Sequence, residues 1–450
     1  MSPAEQSESL RRQSEGKPAF GALVAESAKI GFLGFGGPAG QIALMHRIFV
    51  DERKWVDEDT YLHSLNYCML LPGPEAQQLA TYVGWRLHGV KGGVAAGALF
   101  VLPGAILILA LSWIYAALGA TPALAAAFYG VKACVVAFIL EALVKIGRRA
   151  LKSRLDIAVA AASFAALALF GAPFPLVILA AMAAGYFSSK PAQPLNAAPQ
   201  AKLNARDSLR TSLVWTLLWF APLLVSLLLL GPEHVITKVG VLFATLAIVT
   251  FGGAYAVLAY LAQQAVEAEG WLTAAQMLDG LGLAETTPGP LVLVNQFVGF
   301  LAGWQAQGGG LWVAIAAAIM ASWQTFAPSF VWIFAGAPYA DRVRANPRAA
   351  GALRMVTACV LGVIASLAFW FAAHALFTQT ISLATPWGHI IAAPDLASID
   401  PYAVLMVAAA AVHHRFQSAG SQNCTGTGFE HRFQPFALFL VTHPGFKPRQ

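Results

Sequence analysis

Pro72-Gly73-Pro74 is followed by Glu75, Gln77 and Gln78, and the same tripeptide recurs as Pro288-Gly289-Pro290, preceded by Thr286 and Thr287 and followed by Asn295 and Gln296. Proline ends an incoming helix because it lacks an N–H and clashes with the preceding turn, yet it suits the first position of a new one. The N–H groups left free at such a start point out of a helix end that carries about half a positive charge and binds anions. Glu75 reads either as an ordinary partner of that dipole or, if buried, as a proton carrier or gate. Gln77 and Gln78 offer amide hydrogen bonds to a ligand or tie neighbouring helices together. The glycine pairs Gly36-Gly37 and Gly252-Gly253 let a backbone approach another backbone or a ligand closely.

The elements that must hold these groups are greasy. Of 450 residues, 58% are hydrophobic and 11% are charged, and the mean hydropathy is +0.64; soluble domains carry about 25% charged residues. This is an integral membrane protein. The 28 Lys+Arg exceed the 22 Asp+Glu, but they gather in short clusters between apolar runs, as the positive-inside rule expects, so no nucleic-acid partner is implied. Cys68, Cys134, Cys359 and Cys424 stand far apart, which supports neither a disulfide framework nor a zinc site.

Apolar runs of roughly 20 residues span a hydrocarbon core of about 30 Å. The clear ones are Leu99–Ala117, Ala123–Val144, a proline-divided stretch Ile157–Phe187, Leu213–Leu230, Leu311–Ala335 and Met355–Phe377. Weaker, glycine-rich ones lie near 30–48, 62–85, 239–262 and 278–303. The fold class expected is therefore an all-α polytopic membrane protein of about 10 to 12 transmembrane helices.

Sliding the chain by 216 residues superposes Phe35, Gly36 and Gly37 on Phe251, Gly252 and Gly253, Trp55 on Trp271, and each Pro-Gly-Pro on the other. After a one-residue gap, Tyr82-Val83-Gly84 falls on Phe297-Val298-Gly299. Basic residues orient the copies: the first begins after Arg11, Arg12 and Lys17 and ends at Arg86 and Lys91, whereas the second ends in a loop, 304–310, free of Lys and Arg. The halves are thus expected as an inverted-topology repeat with broken helices, the pattern of a secondary transporter whose site lies between the repeats. Domain limits follow: a cytoplasmic leader 1–20, a first repeat 21–188, a polar basic linker 189–210, a second repeat 211–412 and an atypical polar tail 413–450.

Lys29, Arg86 and Lys132 lie in or beside spans and could balance an anion, although each is read first as snorkelling to the interface. Trp55 and Trp271 are read as interfacial anchors. The loose dinucleotide pattern at Gly34 lacks a preceding strand and is broken by Pro38. No HExxH, GxSxG or GxxxxGK[ST] occurs, and no metal-ligand cluster is evident.

The stretches 34–89 and 251–304 resemble the two signature regions of the chromate ion transporter family in its long, two-domain bacterial form, over roughly residues 20–380. The resemblance implies a chromate exporter of the bacterial inner membrane that confers chromate resistance, with sulfate as a competing analogue or alternative cargo and the N-terminus in the cytoplasm. It implies no enzyme and no cofactor, lipid as the surrounding partner, and leaves a homodimer open. The candidate substrate site is the set Gly36, Gly37, Pro72, Gly73, Pro74, Glu75, Gln77, Gln78, Gly252, Gly253, Thr286, Thr287, Pro288, Gly289, Pro290, Asn295 and Gln296. The family's chain is expected to continue as apolar helix after Val412, where this one turns polar at His413.

Overall fold

The computed structural model describes residues 18–118, 121–188, 205–251, 254–337, 347–384 and 390–420. The first half comprises α1 (Phe20–Leu33), α2 (Gly37–His46) running on into a π-helical turn (Arg47–Glu52), α3 (Glu58–Cys68), α4 (Glu75–Leu118), α5 (Pro122–Ala150), α6 (Arg154–Ala168) and α7 (Phe174–Ser188). The second comprises α8 (Ala205–Leu230), α9 (Val235–Val249), α10 (Ala254–Ala262) with a π-helical turn (Gln263–Ala268), α11 (Ala274–Thr286), α12 (Val294–Gln305), α13 (Leu311–Gly336), α14 (Pro347–Leu376) and α15 (Pro401–Gly420).

The repeat is written into the backbone. The two π-helical turns lie 216 residues apart, and each is closed the same way: Arg53 N–H bonds Ile48 C=O as Glu269 N–H bonds Gln264 C=O, and Trp55 N–H bonds Phe49 C=O as Trp271 N–H bonds Ala265 C=O. Asp57 caps α3 through Thr60 N–H, and Thr273 caps α11 through Gln276 N–H. A short polar side chain at each cap satisfies a donor that the new helix cannot. Trp271 is buried against protein, at 8% exposure.

The glycine-rich segments are broken, and their breaks are reversals. Arg53 bonds Glu26 at 2.9 Å, although a straight helix would hold residues 27 apart at about 40 Å; α1 and α2 therefore fold back on each other. Lys238 lies 3.9 Å from Glu269 in the corresponding place. Tyr67 packs on Tyr82 with ring centroids 6.0 Å apart, and a Cβ added to Gly280 would sit 2.3 Å from Phe297. Each Pro-Gly-Pro is thus the tip of a hairpin, α3 with the start of α4, and α11 with α12. In α4 the helix breaks again at His88 and Gly89, so residues 75–87 form a short limb and 90–118 a long one. The short limb, at about 20 Å, is too short to cross a bilayer alone.

Four helices among the described residues are long and apolar enough to cross: Glu75–Leu118, Leu209–Leu230, Leu311–Gly336 and Arg348–Leu376. Their outward faces are apolar, with Leu228, Leu229 and Trp312 at least 77% exposed, as a lipid-facing surface requires. Between helices, small residues replace hydrophobic contrast as the packing device: Gly84 and Gly92 bring the two limbs of α4 so close that a Cβ on either would meet the other's carbonyl at 2.3 or 2.2 Å. The halves also clasp peripherally, α6 and α7 packing on α14, with Arg354 bonding Asp156 at 2.9 Å.

Among the described residues one strand pair accompanies the helices: β1 (Thr380–Ala384) pairs antiparallel with β2 (Ile390–Pro394). Beyond it, α15 does not stop at Val412 but runs to Gly420, and it is tied to α5 where Tyr129 donates to Asp400 at 2.6 Å. Cys68, Cys134 and Cys359 are unpaired thiols, and Cys424 lies outside the described residues.

Candidate functional site

The two hairpin tips cross into the opposite half. Gly73 N–H donates to Thr250 C=O at 3.0 Å, and Gly289 N–H donates to Gly34 C=O at 3.0 Å. Gly34 and Thr250 are themselves 216 residues apart, so the bonds are reciprocal, each Pro-Gly-Pro closing on the residue just before the other half's Phe-Gly-Gly. Both glycines sit at positive φ, 108° and 103°, where an L side chain is strained. The flanking prolines hold the reversal because neither has an N–H to continue a helix.

Downstream the two copies part. After Pro74 the chain enters α4 directly: Gln78 N–H is the first to bond back, to Pro74 C=O at 3.0 Å, which leaves the N–H groups of Glu75, Ala76 and Gln77 ahead of the helical ladder. Glu75 is partly buried and has no ion-pair partner among the described residues. After Pro290 a 3₁₀ turn, Leu291–Leu293, intervenes before α12. The first tip is half-buried from Leu71 to Gly73, whereas Pro288, Gly289 and Pro290 are all buried.

The buried amides are mostly engaged with protein. Gln77 donates to Phe326 C=O at 3.3 Å, Gln78 to Pro72 C=O at 2.7 Å and Gln296 to Ala105 C=O at 2.9 Å, so these three tie tips to neighbouring backbone. Asn295 differs, donating from Nδ2 to Thr325 Oγ1 at 3.0 Å. Thr286 and Thr287 turn their hydroxyls back to Leu283 and Ala284 carbonyls. Gly36 and Gly37 form the reversal after Gly34, both at positive φ, while Gly252 and Gly253 lie outside the described residues. Of the seventeen sequence candidates, Gly73, Pro74 and Asn295 share one cavity, which Thr250, Val257 and Thr325 also line.

Two arrangements were not read from sequence. Gln41, fully buried on α2, donates from Nε2 to both Gly34 C=O and Gly289 C=O, at 3.1 and 2.6 Å. Lys132, expected to snorkel, instead lies 3.4 Å from buried Asp279, which also accepts from Tyr115 OH at 2.8 Å. This pair fixes the α11 limb to α5, since a charge held away from water needs its partner. Gln41 stands out in the sequence only as a polar residue six after Phe35; nothing in spacing links Lys132 to Asp279.

A family model described as chromate transporter matches residues 21–186 and 237–419. The chain is 34% identical over 297 residues to a chromate transport protein of Pseudomonas aeruginosa, an alignment covering 62% of this chain and 66% of that protein. It is 28% identical over 348 residues to a chromate transport protein of Cupriavidus metallidurans, covering 76% and 80%. It is 30% identical over 338 residues to a probable chromate transport protein of Synechococcus elongatus, covering 75% and 80%. No solved structure matches the chain.

Proposed function

The chain belongs to the chromate transporter family, and on that premise we propose that it exports the chromate oxyanion across the bacterial inner membrane by alternating access between its two halves, so conferring chromate resistance. The observation that carries this reading is the reciprocal pair of backbone bonds, Gly73 to Thr250 and Gly289 to Gly34. Each tip is pinned to the opposite half by a contact that its twin repeats, so the two can be released one at a time. Hairpins with irregular backbone are tolerated at membrane depth only when buried in protein or lining a watery cavity, and both conditions suit a site between the halves.

The clusters of Arg and Lys favour an inverted arrangement with the N-terminus in the cytoplasm, which would bring the tips together from opposite faces near the midplane. The anion would sit against the segments Pro72–Gln78 and Thr286–Gln296, held by free N–H groups at the start of α4 and by amide donors. Gly36 and Gly37, with Gly252 and Gly253, would allow the close backbone approach. A dianion leaving a negative-inside cell gains about 4.6 kcal/mol per 100 mV, so export needs no coupled proton.

The test is uptake of labelled chromate into inverted membrane vesicles at an imposed potential and at an imposed pH gradient, with sulfate, molybdate and phosphate as competitors. Saturable, potential-driven chromate uptake is expected. No uptake under either gradient would defeat the reading. Glu75→Gln is expected to retain potential-driven flux and to remove any pH response, since a neutral amide carries no proton.

A further inference from the structure

Two reciprocal junctions would, by symmetry, form two equivalent sites, but their fillings differ. Where the second tip meets Gly34, Gln41 occupies the space and bonds carbonyls on both sides. Gly104 closes the same junction, for a Cβ there would lie 2.3 Å from Pro288 C=O. Where the first tip meets Thr250, the residue 216 positions after Gln41 is Val257. A valine cannot reach across, and a cavity remains, lined by Gly73, Pro74, Thr250, Val257, Asn295 and Thr325, with room for about one water molecule (about 10 Å³). Asn295 is 1% exposed, and its Oδ1 has no hydrogen-bond partner.

We propose that the junction of Gly73 with Thr250 alone is the oxyanion seat, made so by Val257 in place of the glutamine that plugs its twin. This rests on the transport reading above and narrows it to one of two sites. Asn295 Oδ1 shares its lack of a partner with Gln41 Oε1 at the twin junction, so what marks this junction is the cavity that it retains beside a buried amide free to turn. Thr325 Oγ1 donates to Ala321 C=O at 2.7 Å while accepting from Asn295. Were that hydroxyl to turn toward Asn295, the amide could rotate and present both its N–H groups to an anion, so the pair can offer an acceptor to water or donors to an oxyanion. The seat is too small for a tetrahedral oxyanion until the tip withdraws from Thr250. That movement frees Gly73 N–H, which joins the N–H groups of Ala76 and Gln77, ahead of the α4 ladder, as donors. Glu75 is not among the lining residues.

The test uses the full-length protein in detergent, reading the thermal unfolding midpoint against chromate and sulfate concentration, alongside vesicle uptake. Val257→Gln should fill the seat and weaken apparent oxyanion affinity at least tenfold with little change in the unliganded midpoint. Asn295→Ala should weaken it in the same direction, and it decides the matter if Val257→Gln does not fold. Gln41→Val should lower the unliganded midpoint yet keep the oxyanion-dependent shift. Wild-type affinity in both Val257→Gln and Asn295→Ala, in a protein that still transports chromate, overturns the seat and leaves the transport reading standing. Absence of any oxyanion shift or uptake in the wild-type protein overturns both.

Discussion

Gly73 and Gly289 adopt left-handed conformations only a few degrees apart, and each N–H reaches a carbonyl 3.0 Å away in the other half. Around them little else is shared. The first tip is half-buried and leads straight into α4, whereas the second is buried and leads into a 3₁₀ turn. The peripheral ion pairs have exchanged signs: Glu26 on α1 meets Arg53, but Lys238 on α9 meets Glu269. The duplicated feature is the one only backbone geometry can supply, and the side chains were free to diverge. A looser tip can move at smaller cost, so under the proposed mechanism the first would be the working tip and the second the anchor.

The largest test of that difference is Gly289→Ala set against Gly73→Ala. Both place a side chain at positive φ, a penalty of roughly 1–2 kcal/mol. At Gly289 the new Cβ also lies 2.9 Å from Leu293 and 3.3 Å from the Gly104 backbone, while at Gly73 it meets only the Gln78 amide end at 3.2 Å, which can swing aside. Gly289→Ala should therefore abolish folded yield and uptake, and Gly73→Ala should spare folding and impair uptake. Equal loss of folding in both would erase the anchor-and-mover distinction. Asp279→Leu comes next. It strands Lys132 without its partner and should cost about 3 kcal/mol, most of it recovered by adding Lys132→Met, as read from unfolding midpoints in a double-mutant cycle. The smallest effect is expected at the first half's rim. Arg53 is half-exposed, with 51% of its side chain accessible, but its partner Glu26 is buried, so Arg53→Met, which keeps the stem and strands the carboxylate with only Lys29 nearby, should cost about 1–2 kcal/mol, less than Asp279→Leu. Lys238→Met, which removes exposed pairs to Glu233 and Glu269, should cost less still.

Much of the frame was legible beforehand. The offset of 216 emerged from seven residues, and the structure repeats it in π-helical turns, caps and cross-half bonds that no motif foretold. The breaks at Pro72–Pro74 and Pro288–Pro290 were readable because proline acts locally. Their sense was not, because whether a chain continues or doubles back depends on contacts such as Glu26 with Arg53, 27 residues apart. The candidate site was legible as a pair of backbone breaks and less so in its side chains. Gln77 and Gln296 donate to the backbone of neighbouring helices and Gln78 to Pro72 within its own tip, and Thr325 and Val257 look like ordinary span residues until Asn295 and Gly73 are placed beside them. The pairing of Lys132 with Asp279 joins positions far apart in sequence, which no local spacing could reveal.

The crossed tips also set a schedule for biosynthesis. Gly73 N–H finds its acceptor on Thr250, a residue the ribosome adds about 180 positions later, which at 5–20 residues per second is roughly 10–35 s. Until then the first tip lacks its native acceptor, because that acceptor belongs to the second half. The first half must wait, partly assembled in the membrane, for the second to arrive.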